Sequence, residues 1–145
     1  MSGTNDKMKK SKEFQQTIFS EEKIKTVVTQ EEFYDILKTI APGTNLRTAL
    51  ESIVNYGKGG LIVIDNGTLN PLLDGGFKIN CKFTPQKMME LSKMDGAIII
   101  SKDLKNITAA NVLLTPSPKI HTSETGTRHK AAERTAKQTG AIIIA

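Results

Sequence analysis

The spacing of apolar residues predicts two helices in the first half of the chain. Thr29 and Glu32 have the spacing of a capping box, so the first helix begins there. Its apolar residues recur on one helical face, and they are Phe33, Ile36, Leu37 and Ile40. A Pro-Gly pair at residues 42–43 ends this helix, and a second one follows Thr44 and ends near Gly57. The second helix has its own apolar stripe, formed by Leu46, Leu50, Ile53 and Val54.

Short apolar runs, rich in β-branched residues, predict the strands. Residues 61–64, 97–100 and 107–114 are expected to form buried strands. Residues 141–145 form a final strand at the end of the chain. The segment between residues 69 and 83 is less regular, and we expect strand and loop there.

Two further helices are predicted between these strands. Thr84 is a good N-cap, and the proline after it suits the first helical position. This helix is expected to end at Asp95-Gly96 and to bury a stripe formed by Met88, Leu91 and Met94. The last helix runs from about Thr127 to Gln138, and Gly140 is placed to stop it.

Helices thus alternate with short strands along the chain. This pattern is typical of an α/β fold with a mixed or mainly parallel central β-sheet, flanked by helices in a single layered domain. We assign residues 26–145 to that domain and residues 1–25 to an N-terminal tail or weak leading helix. Because the chain ends in an apolar strand, we expect the domain to be truncated at its C-terminus.

Composition narrows the class of protein. The 145 residues are close to the length of one domain, and 38% apolar with 24% charged residues excludes an intrinsically disordered chain. The apolar runs are far shorter than a membrane-spanning helix, and the N-terminus does not have the pattern of a secretory signal. Cys81 is the single cysteine, which excludes an internal disulfide and favours a reducing, cytoplasmic setting.

The net charge of +5 is compatible with an anionic ligand but is common among ordinary proteins. Several familiar nucleotide-binding and catalytic signatures are absent from the sequence. Neither the phosphate loop Gly-x-x-x-x-Gly-Lys-Ser/Thr nor the dinucleotide turn Gly-x-Gly-x-x-Gly occurs, and the hydrolase elbow Gly-x-Ser-x-Gly is missing. His121 and His129 have no further His or Cys partner at metal-ligand spacing, so a zinc site is not expected.

The strongest candidate for chemistry is the segment Thr125-Gly126-Thr127-Arg128-His129-Lys130. It places hydroxyl groups and cationic side chains at a predicted helix start, where free backbone amides and the helix dipole favour an anion. Arg128 can contact phosphate in a bidentate manner, and Lys130 adds a point charge. The segment indicates a phosphate site; a solvated basic helix start is the alternative.

A second candidate is Asp95-Gly96-Ala97, which sets a carboxylate at the beginning of a predicted buried strand. The glycine would let a ligand approach the backbone closely. Ligands of α/β sheets collect at strand ends, which favours a functional interpretation. A plain turn between helix and strand is the alternative, and it is the stronger one if the triplet is taken alone.

Residues 74–145 resemble the diadenylate cyclase domain of the DNA-integrity scanning proteins. Six strings keep the order and spacing of that family: Asp74-Gly75-Gly76-Phe77, Phe83-Thr84-Pro85-Gln86, Lys93-Met94-Asp95-Gly96-Ala97-Ile98, Ala110-Asn111-Val112, Ser123-Glu124-Thr125-Gly126-Thr127-Arg128-His129 and Ala136-Lys137-Gln138-Thr139-Gly140. Residues 41–44 extend the match upstream. The family's Asp-Gly-Ala signature is intact, whereas its Arg-His-Arg signature ends in Lys130, and Ala131 stands where a threonine is expected.

The resemblance implies a nucleotidyltransferase that condenses two ATP molecules into cyclic di-AMP and releases two pyrophosphates. It implies catalytic roles for Asp95, Arg128 and His129, and it implies that Asp95 holds Mg²⁺ or Mn²⁺. The residues that it implies for ATP binding are Gly96, Ala97, Leu114, Thr127, Arg128, His129, Lys130 and Ala131.

The resemblance also implies partners. Two domains must face each other in a homo-oligomer, because each binds one ATP, and DNA contacts belong to a C-terminal module that this chain lacks. An ATP- or cyclic di-AMP-binding module without turnover stays open as the main alternative, favoured by Lys130, which departs from the family pattern, and by the expected truncation at the C-terminus. A nucleic-acid-binding domain is a third interpretation, which salt-dependent DNA binding without ATP affinity would favour.

Overall fold

The computed structural model describes residues 29–145, of which residues 34–145 form one compact unit. The α-helices are α1 (Gln30–Thr39), α2 (Asn45–Tyr56), α3 (Pro85–Leu91) and α4 (Thr127–Thr139). The strands are β1 (Ile62–Ile64), β2 (Leu73–Asp74), β3 (Phe77–Lys82), β4 (Ala97–Ile100), β5 (Asn106–Leu114) and β6 (Ile142–Ile144). A short 3₁₀ helix, Asn70–Leu72, precedes β2.

The strands form one mixed sheet in the order β2, β5, β4, β1, β6, and β3 also pairs with β5. Within residues 29–145, β1 and β4 are the parallel pair, with Ile62 opposite Ile98, and the other pairings are antiparallel. The predicted α/β class with a central sheet flanked by helices is confirmed. The mainly parallel alternative is wrong, because a connection as short as that between β4 and β5 can join only antiparallel neighbours.

Each face of the sheet carries a core. One core combines α2 and α3 with the inward residues of the strands, and it includes Leu46, Ile53, Ile62, Met88, Ile98, Ile100 and Ile107. The opposite core lies under α4 and includes Val63, Leu69, Ile99, Val112, Leu114 and Ala132. β1 and β4 are buried along their whole length, which explains why both read as continuous apolar runs.

The predicted capping residues begin the helices as expected. Thr29 and Glu32 exchange the two hydrogen bonds of a capping box at 3.2 and 2.8 Å. Thr44 Oγ1 accepts from the Arg47 amide, and Thr84 Oγ1 accepts from the Lys87 amide, each at 3.2 Å. Because each hydroxyl satisfies an amide that has no partner inside its helix, the local sequence defines these starts.

The apolar stripe predicted for α1 is not buried. Phe33 is 52% exposed and Leu37 41%, while Ile36 and Ile40 are half-buried. Periodicity shows that one face of a helix is apolar, but it does not show whether another element covers that face. Val54 of the α2 stripe is also exposed, at 73%.

Two other predictions are refined, and one lies outside the described residues. α3 ends at Leu91, so Met94 is an exposed turn residue and not part of the buried stripe. The irregular segment of residues 69–83 contains the 3₁₀ helix, β2 and most of β3. The predicted tail or leading helix of residues 1–25 lies outside the described residues. Among residues 29–145, no helix is long and apolar enough to cross a membrane.

Gly76 allows the β2–β3 connection to lie directly against β5. A methyl group at Gly76 would lie 2.6 Å from the Ala110 carbonyl oxygen, whereas one at Gly75 would meet no atom within 4 Å. Both glycines have a positive φ, 64° at Gly75 and 80° at Gly76, so alanine is strained at either position. The two positions therefore differ mainly in the space around them.

We predict that Gly76→Ala lowers the free energy of unfolding by about 3 kcal/mol, because backbone strain and a clash with β5 add together. Gly75→Ala is the matched control and should cost only the strain, about 1 kcal/mol. Urea unfolding of both variants measures the difference. Equal losses at the two positions would show that the close approach to β5 is unimportant.

Candidate active site

The predicted site residues gather at the edge of the sheet where β1 and β4 begin. Asp95 and Gly96 immediately precede β4. Because β1 and β4 pair in parallel, with Ile62 opposite Ile98, the loop before β1 that contains Gly59 and the turn before β4 that contains Asp95 lie at the same edge of the sheet. The hydrogen bond from the Ile98 amide to the carbonyl of residue 61, 2.9 Å long, shows that the pairing extends beyond β1.

α4 brings its N-terminus to this same edge. β6 runs antiparallel to β1, so the end of α4 lies at the far edge, where Asn66 Nδ2 donates to the Thr139 carbonyl oxygen at 2.9 Å. The 13 residues of α4 span about 20 Å, and Ala132 packs in the core below the helix. The first turn of α4 therefore returns to the edge where β1 and β4 begin.

Arg128, in the first turn of α4, lies against the loop before β1. A methyl group built on Gly59 would lie 1.8 Å from Nη1 of Arg128 and 2.8 Å from its Cζ, so the guanidinium group covers this glycine. Since the loop that contains Gly59 and the turn that contains Asp95 lie at the same edge of the sheet, the two predicted signatures lie at that edge. The two signatures are far apart in the sequence, and the fold brings both to one edge of the sheet.

The start of α4 presents unpaired backbone donors. Gly126 precedes the helix with φ 87° and ψ 143°, and it provides no side-chain cap. The Lys130 amide is the first to bond back along the chain, donating to the Gly126 carbonyl oxygen at 3.0 Å. The amides of Thr127, Arg128 and His129 thus have no partner within the helix, which is the geometry of an anion site.

The polar side chains predicted for catalysis are exposed and unengaged. Across residues 29–145, no hydrogen bond or ion pair occupies the side chains of Asp95, Arg128, His129 and Lys130, all of which are exposed. Free polar groups at one edge, beside open helix amides, are available to bind a ligand. Their arrangement can hold a polyanion against one carboxylate.

Other predicted binding residues are placed differently. Ala97 and Leu114 are buried in the core below α4, so only their backbone atoms can border a ligand at this edge. Ala131 is half-buried one turn into the helix. Their roles in ATP binding stay predictions.

A set of side chains on α4, which sequence reasoning missed, holds the long loop before the site. Arg134 Nε donates to the Ile120 carbonyl oxygen at 3.0 Å, and Lys137 Nζ donates to that of His121, also at 3.0 Å. Glu133 pairs with Lys137 at 2.7 Å and accepts a hydrogen bond from the Thr122 hydroxyl. The Glu-Lys spacing of four residues on a helix was the available signal.

The same contacts lower the pKa of the Glu133 carboxyl group. Hydrogen bonds from Lys137 and then Thr122 stabilise the charged form of Glu133 and lower the pKa of its carboxyl group from 4.5 to about 2. The loop of residues 115–126 is therefore tied to α4 by an ionised carboxylate. That loop leads directly into Gly126 and the helix start.

The donors at this edge fit a divalent cation that is shared with a ligand. Within the described part of the chain, no group of three or more His, Cys, Asp or Glu side chains could hold a metal by itself. Mg²⁺ typically takes one or two carboxylates, and it takes its remaining ligands from substrate phosphates and water. The exposed carboxylate of Asp95, at the same sheet edge as the start of α4, is compatible with that requirement.

Comparison with known proteins gives a consistent family. A family model described as "DisA bacterial checkpoint controller nucleotide-binding", the DAC domain, matches residues 47–145. The DNA integrity scanning protein DisA of Symbiobacterium thermophilum is 52% identical over 113 residues, which cover 77% of this chain and 32% of that protein. DisA of Clostridium acetobutylicum is 54% identical over 112 residues, which cover 77% of this chain and 31% of that protein. The chain thus spans about a third of the length of these curated relatives.

Solved structures show the same fold. A double mutant of DacA from Staphylococcus aureus superposes with a TM-score of 0.53 at 26% identity, over 68% of this chain and 71% of that one. A hypothetical membrane spanning protein from Bacillus cereus superposes with a TM-score of 0.58 at 28% identity, over 68% of this chain and 51% of that one.

We predict a stability change in acid that depends on Glu133. Because folding lowers the pKa of this carboxyl group, its stabilising effect is complete above the ordinary pKa of 4.5 and is lost as the pH falls towards about 2. Glu133→Gln should therefore lower the urea midpoint at about pH 6 and have little effect at about pH 2. Thr122→Val removes one of the two donors and should have a smaller effect. Parallel pH curves for Glu133→Gln and the wild-type protein would contradict this assignment.

Proposed function

Since the chain belongs to the DAC family of DisA nucleotide-binding domains, we propose that it condenses two ATP molecules into cyclic di-AMP and two pyrophosphates. The observation that supports this proposal is the contact of Arg128 with Gly59, in the loop that shares one sheet edge with the Asp95 turn. Unpaired helix amides and the Asp95 carboxylate then lie at one edge of the sheet. The direct test is incubation with ATP and Mg²⁺ or Mn²⁺, followed by identification of the product.

The reaction needs positioning and charge stabilisation more than covalent chemistry. The 3′-hydroxyl oxygen of each nucleotide bonds to the α-phosphorus of the other, the bond from that phosphorus to pyrophosphate breaks, and the hydroxyl proton is released. Negative charge builds on the phosphate oxygens during each transfer. Fixed donors aimed at these oxygens lower the barrier, because they need no reorientation as the charge develops.

The start of α4 supplies such donors in this proposal. The amides of Thr127, Arg128 and His129 and the helix dipole bind the polyphosphate, and the Arg128 guanidinium adds a bidentate contact. Lys130 contributes charge without the planar fork of an arginine, so it constrains the phosphate less. The backbones of Gly96 and Leu114 border the adenosine.

Asp95 carries the second role. Its carboxylate would hold Mg²⁺ or Mn²⁺, which supplies positive charge against the phosphate oxygens when bound. In this proposal Asp95 also accepts the proton of the attacking hydroxyl. We place the reaction in the cytoplasm, where ATP is available and Cys81 stays a thiol.

A nucleotide-binding module without turnover is the second candidate. Lys130 and Ala131 favour it, because both depart from the family signature at the helix start. Such a module would bind ATP or cyclic di-AMP at the same donors but release no pyrophosphate. Product identification separates it from the cyclase.

We predict that two substitutions separate binding from turnover. Arg128→Ala should weaken ATP binding by about 1.5–3 kcal/mol, because a charge-assisted contact is lost. Asp95→Asn keeps the size of the side chain and removes its charge, so it should abolish synthesis with a smaller effect on ATP affinity. Titration calorimetry and initial rates measure the two effects.

Lys102→Ala is the matched control, because Lys102 is an exposed cation in the turn after β4, at the opposite edge of the sheet. It should change neither quantity. Wild-type ATP affinity in Arg128→Ala would refute the phosphate role. A wild-type rate in Asp95→Asn would refute the role of that carboxylate.

We predict that specific activity rises with protein concentration. One chain offers one Asp-Gly-Ala and one Arg-His-Lys segment, so each protomer supplies half of a reaction centre for two ATP molecules. Dilution should favour nucleotide-bound monomers without turnover. Initial rates across a dilution series, with sedimentation of the same samples, measure this. Constant specific activity from a monomeric population would rule out the two-protomer reaction.

A further inference from the structure

The turn that presents Asp95 is bonded to its own helix through Ser92, whose amide donates to the Met88 carbonyl oxygen at 2.9 Å and whose hydroxyl donates to that of Met89 at 2.6 Å. α3 ends at Leu91, and residues 92–96 form turns before β4. The amides of Lys93 and Met94 make long hydrogen bonds of 3.3 and 3.2 Å back to α3. Two carbonyl groups of the turn, those of Lys93 and Asp95, accept hydrogen bonds from side chains outside that helix.

Lys58 provides one partner from the loop between α2 and β1. Its ammonium group donates to the Lys93 carbonyl oxygen at 2.7 Å. Tyr56, the last residue of α2, also contacts the Lys93 side chain, because the Lys93 ammonium lies 5.1 Å from the centre of the Tyr56 ring. An ion pair with Glu90 at 3.0 Å completes the surroundings of Lys93. The turn is thus attached to the segment that leads into β1.

Asn111 provides the other partner from β5. Its Nδ2 donates to the Asp95 carbonyl oxygen at 2.7 Å. Asn111 has a φ of 55°, and the register between β4 and β5 slips by one residue between the pairs Ala97↔Val112 and Ile99↔Ala109. This bulge turns the amide side chain out of the strand ladder and towards the turn.

Gly96 brings the turn into direct contact with that bulge. A methyl group at Gly96 would lie 2.9 Å from the Asn111 carbonyl carbon and 3.0 Å from the Val112 amide nitrogen. The backbone around Asp95 therefore lies against β5, with hydrogen bonds to carbonyl groups at residues 93 and 95. Both donors are exposed side chains outside the two cores, so the contacts are separable from the stability of the fold.

We propose that Lys58 and Asn111 are positioning residues that hold the Asp95 turn in place for nucleotidyl transfer, an inference that rests on the proposed function. Neither residue touches the reacting atoms in this proposal. Each donates a hydrogen bond to a backbone carbonyl oxygen, so these contacts do not depend on which side chains the turn carries. Small displacements of a reacting group slow catalysis strongly, because the correct geometry is lost before binding is lost.

Two variants remove the contacts, and each has a matched control. Lys58→Met keeps the aliphatic stem and removes the donor, and Lys87→Met is its control, because Lys87 donates to the Lys82 carbonyl oxygen at 3.3 Å, away from the site. Asn111→Gly removes the amide and tolerates the positive φ. Its control is Asn80→Gly, at a φ of 48° in β3. Lys58→Arg retains a donor and should rescue.

Amide hydrogen exchange in residues 92–98 reports how firmly the turn is held in place, and this measurement does not require catalytic turnover. We expect faster exchange there in Lys58→Met and Asn111→Gly, with wild-type exchange in both controls and in Lys58→Arg. In kinetics we expect kcat to fall about tenfold in the two variants, with KM for ATP changing less than about twofold. Melting temperatures close to wild type would separate this effect from unfolding.

The possible failures are distinguishable. Wild-type exchange in residues 92–98 of both variants would overturn the proposal that Lys58 and Asn111 keep the turn in place, whatever the activity of the variants. Faster exchange with an unchanged kcat would overturn its role in catalysis. No product from the wild-type protein would refute the proposed function, and the exchange measurement would still report whether Lys58 and Asn111 hold the turn.

Discussion

The parallel pairing of β1 with β4 is the constraint on which the site depends. Parallel neighbours begin at the same edge of a sheet, so the loop before β1 and the turn before β4 become adjacent. The antiparallel pairing of β6 with β1 then forces α4 to end at the far edge and begin at the near one. If either pairing were reversed, Arg128 and Asp95 would lie at opposite ends of the molecule.

The strands that support the candidate site are buried, and the polar groups of the site itself are exposed. β1 and β4 are covered on both faces by the two cores, which leaves their starting edge as the place where polar groups can meet solvent and ligand. The polar groups at that edge sit on turns and on a helix start, and the packed strands fix their positions. Rigid support of this kind suits a reaction that depends on orientation and on fixed charges.

Side chains that bond to backbone groups connect this rigid scaffold to the irregular segments. Arg134 and Lys137 hold carbonyl groups of the loop that leads into α4, and Lys58 and Asn111 hold those of the turn that carries Asp95. Such contacts order a loop without requiring it to be apolar or to pair as a strand. The loops can therefore remain open to a ligand while their geometry is determined.

The sequence by itself determined the local structure and the chemistry of the candidate groups. Capping residues such as Thr44 and Thr84 identified helix starts, because they act on amides within one turn, and continuous apolar runs identified β1 and β4. The tertiary structure decided whether the apolar face of α1 was covered and which strands were parallel. It also decided that Arg128 contacts Gly59 at the sheet edge where the Asp95 turn lies, and that Lys58 and Asn111 both bond to that turn. These outcomes depend on contacts between residues far apart in the chain, which hydrophobic periodicity and capping signals do not encode.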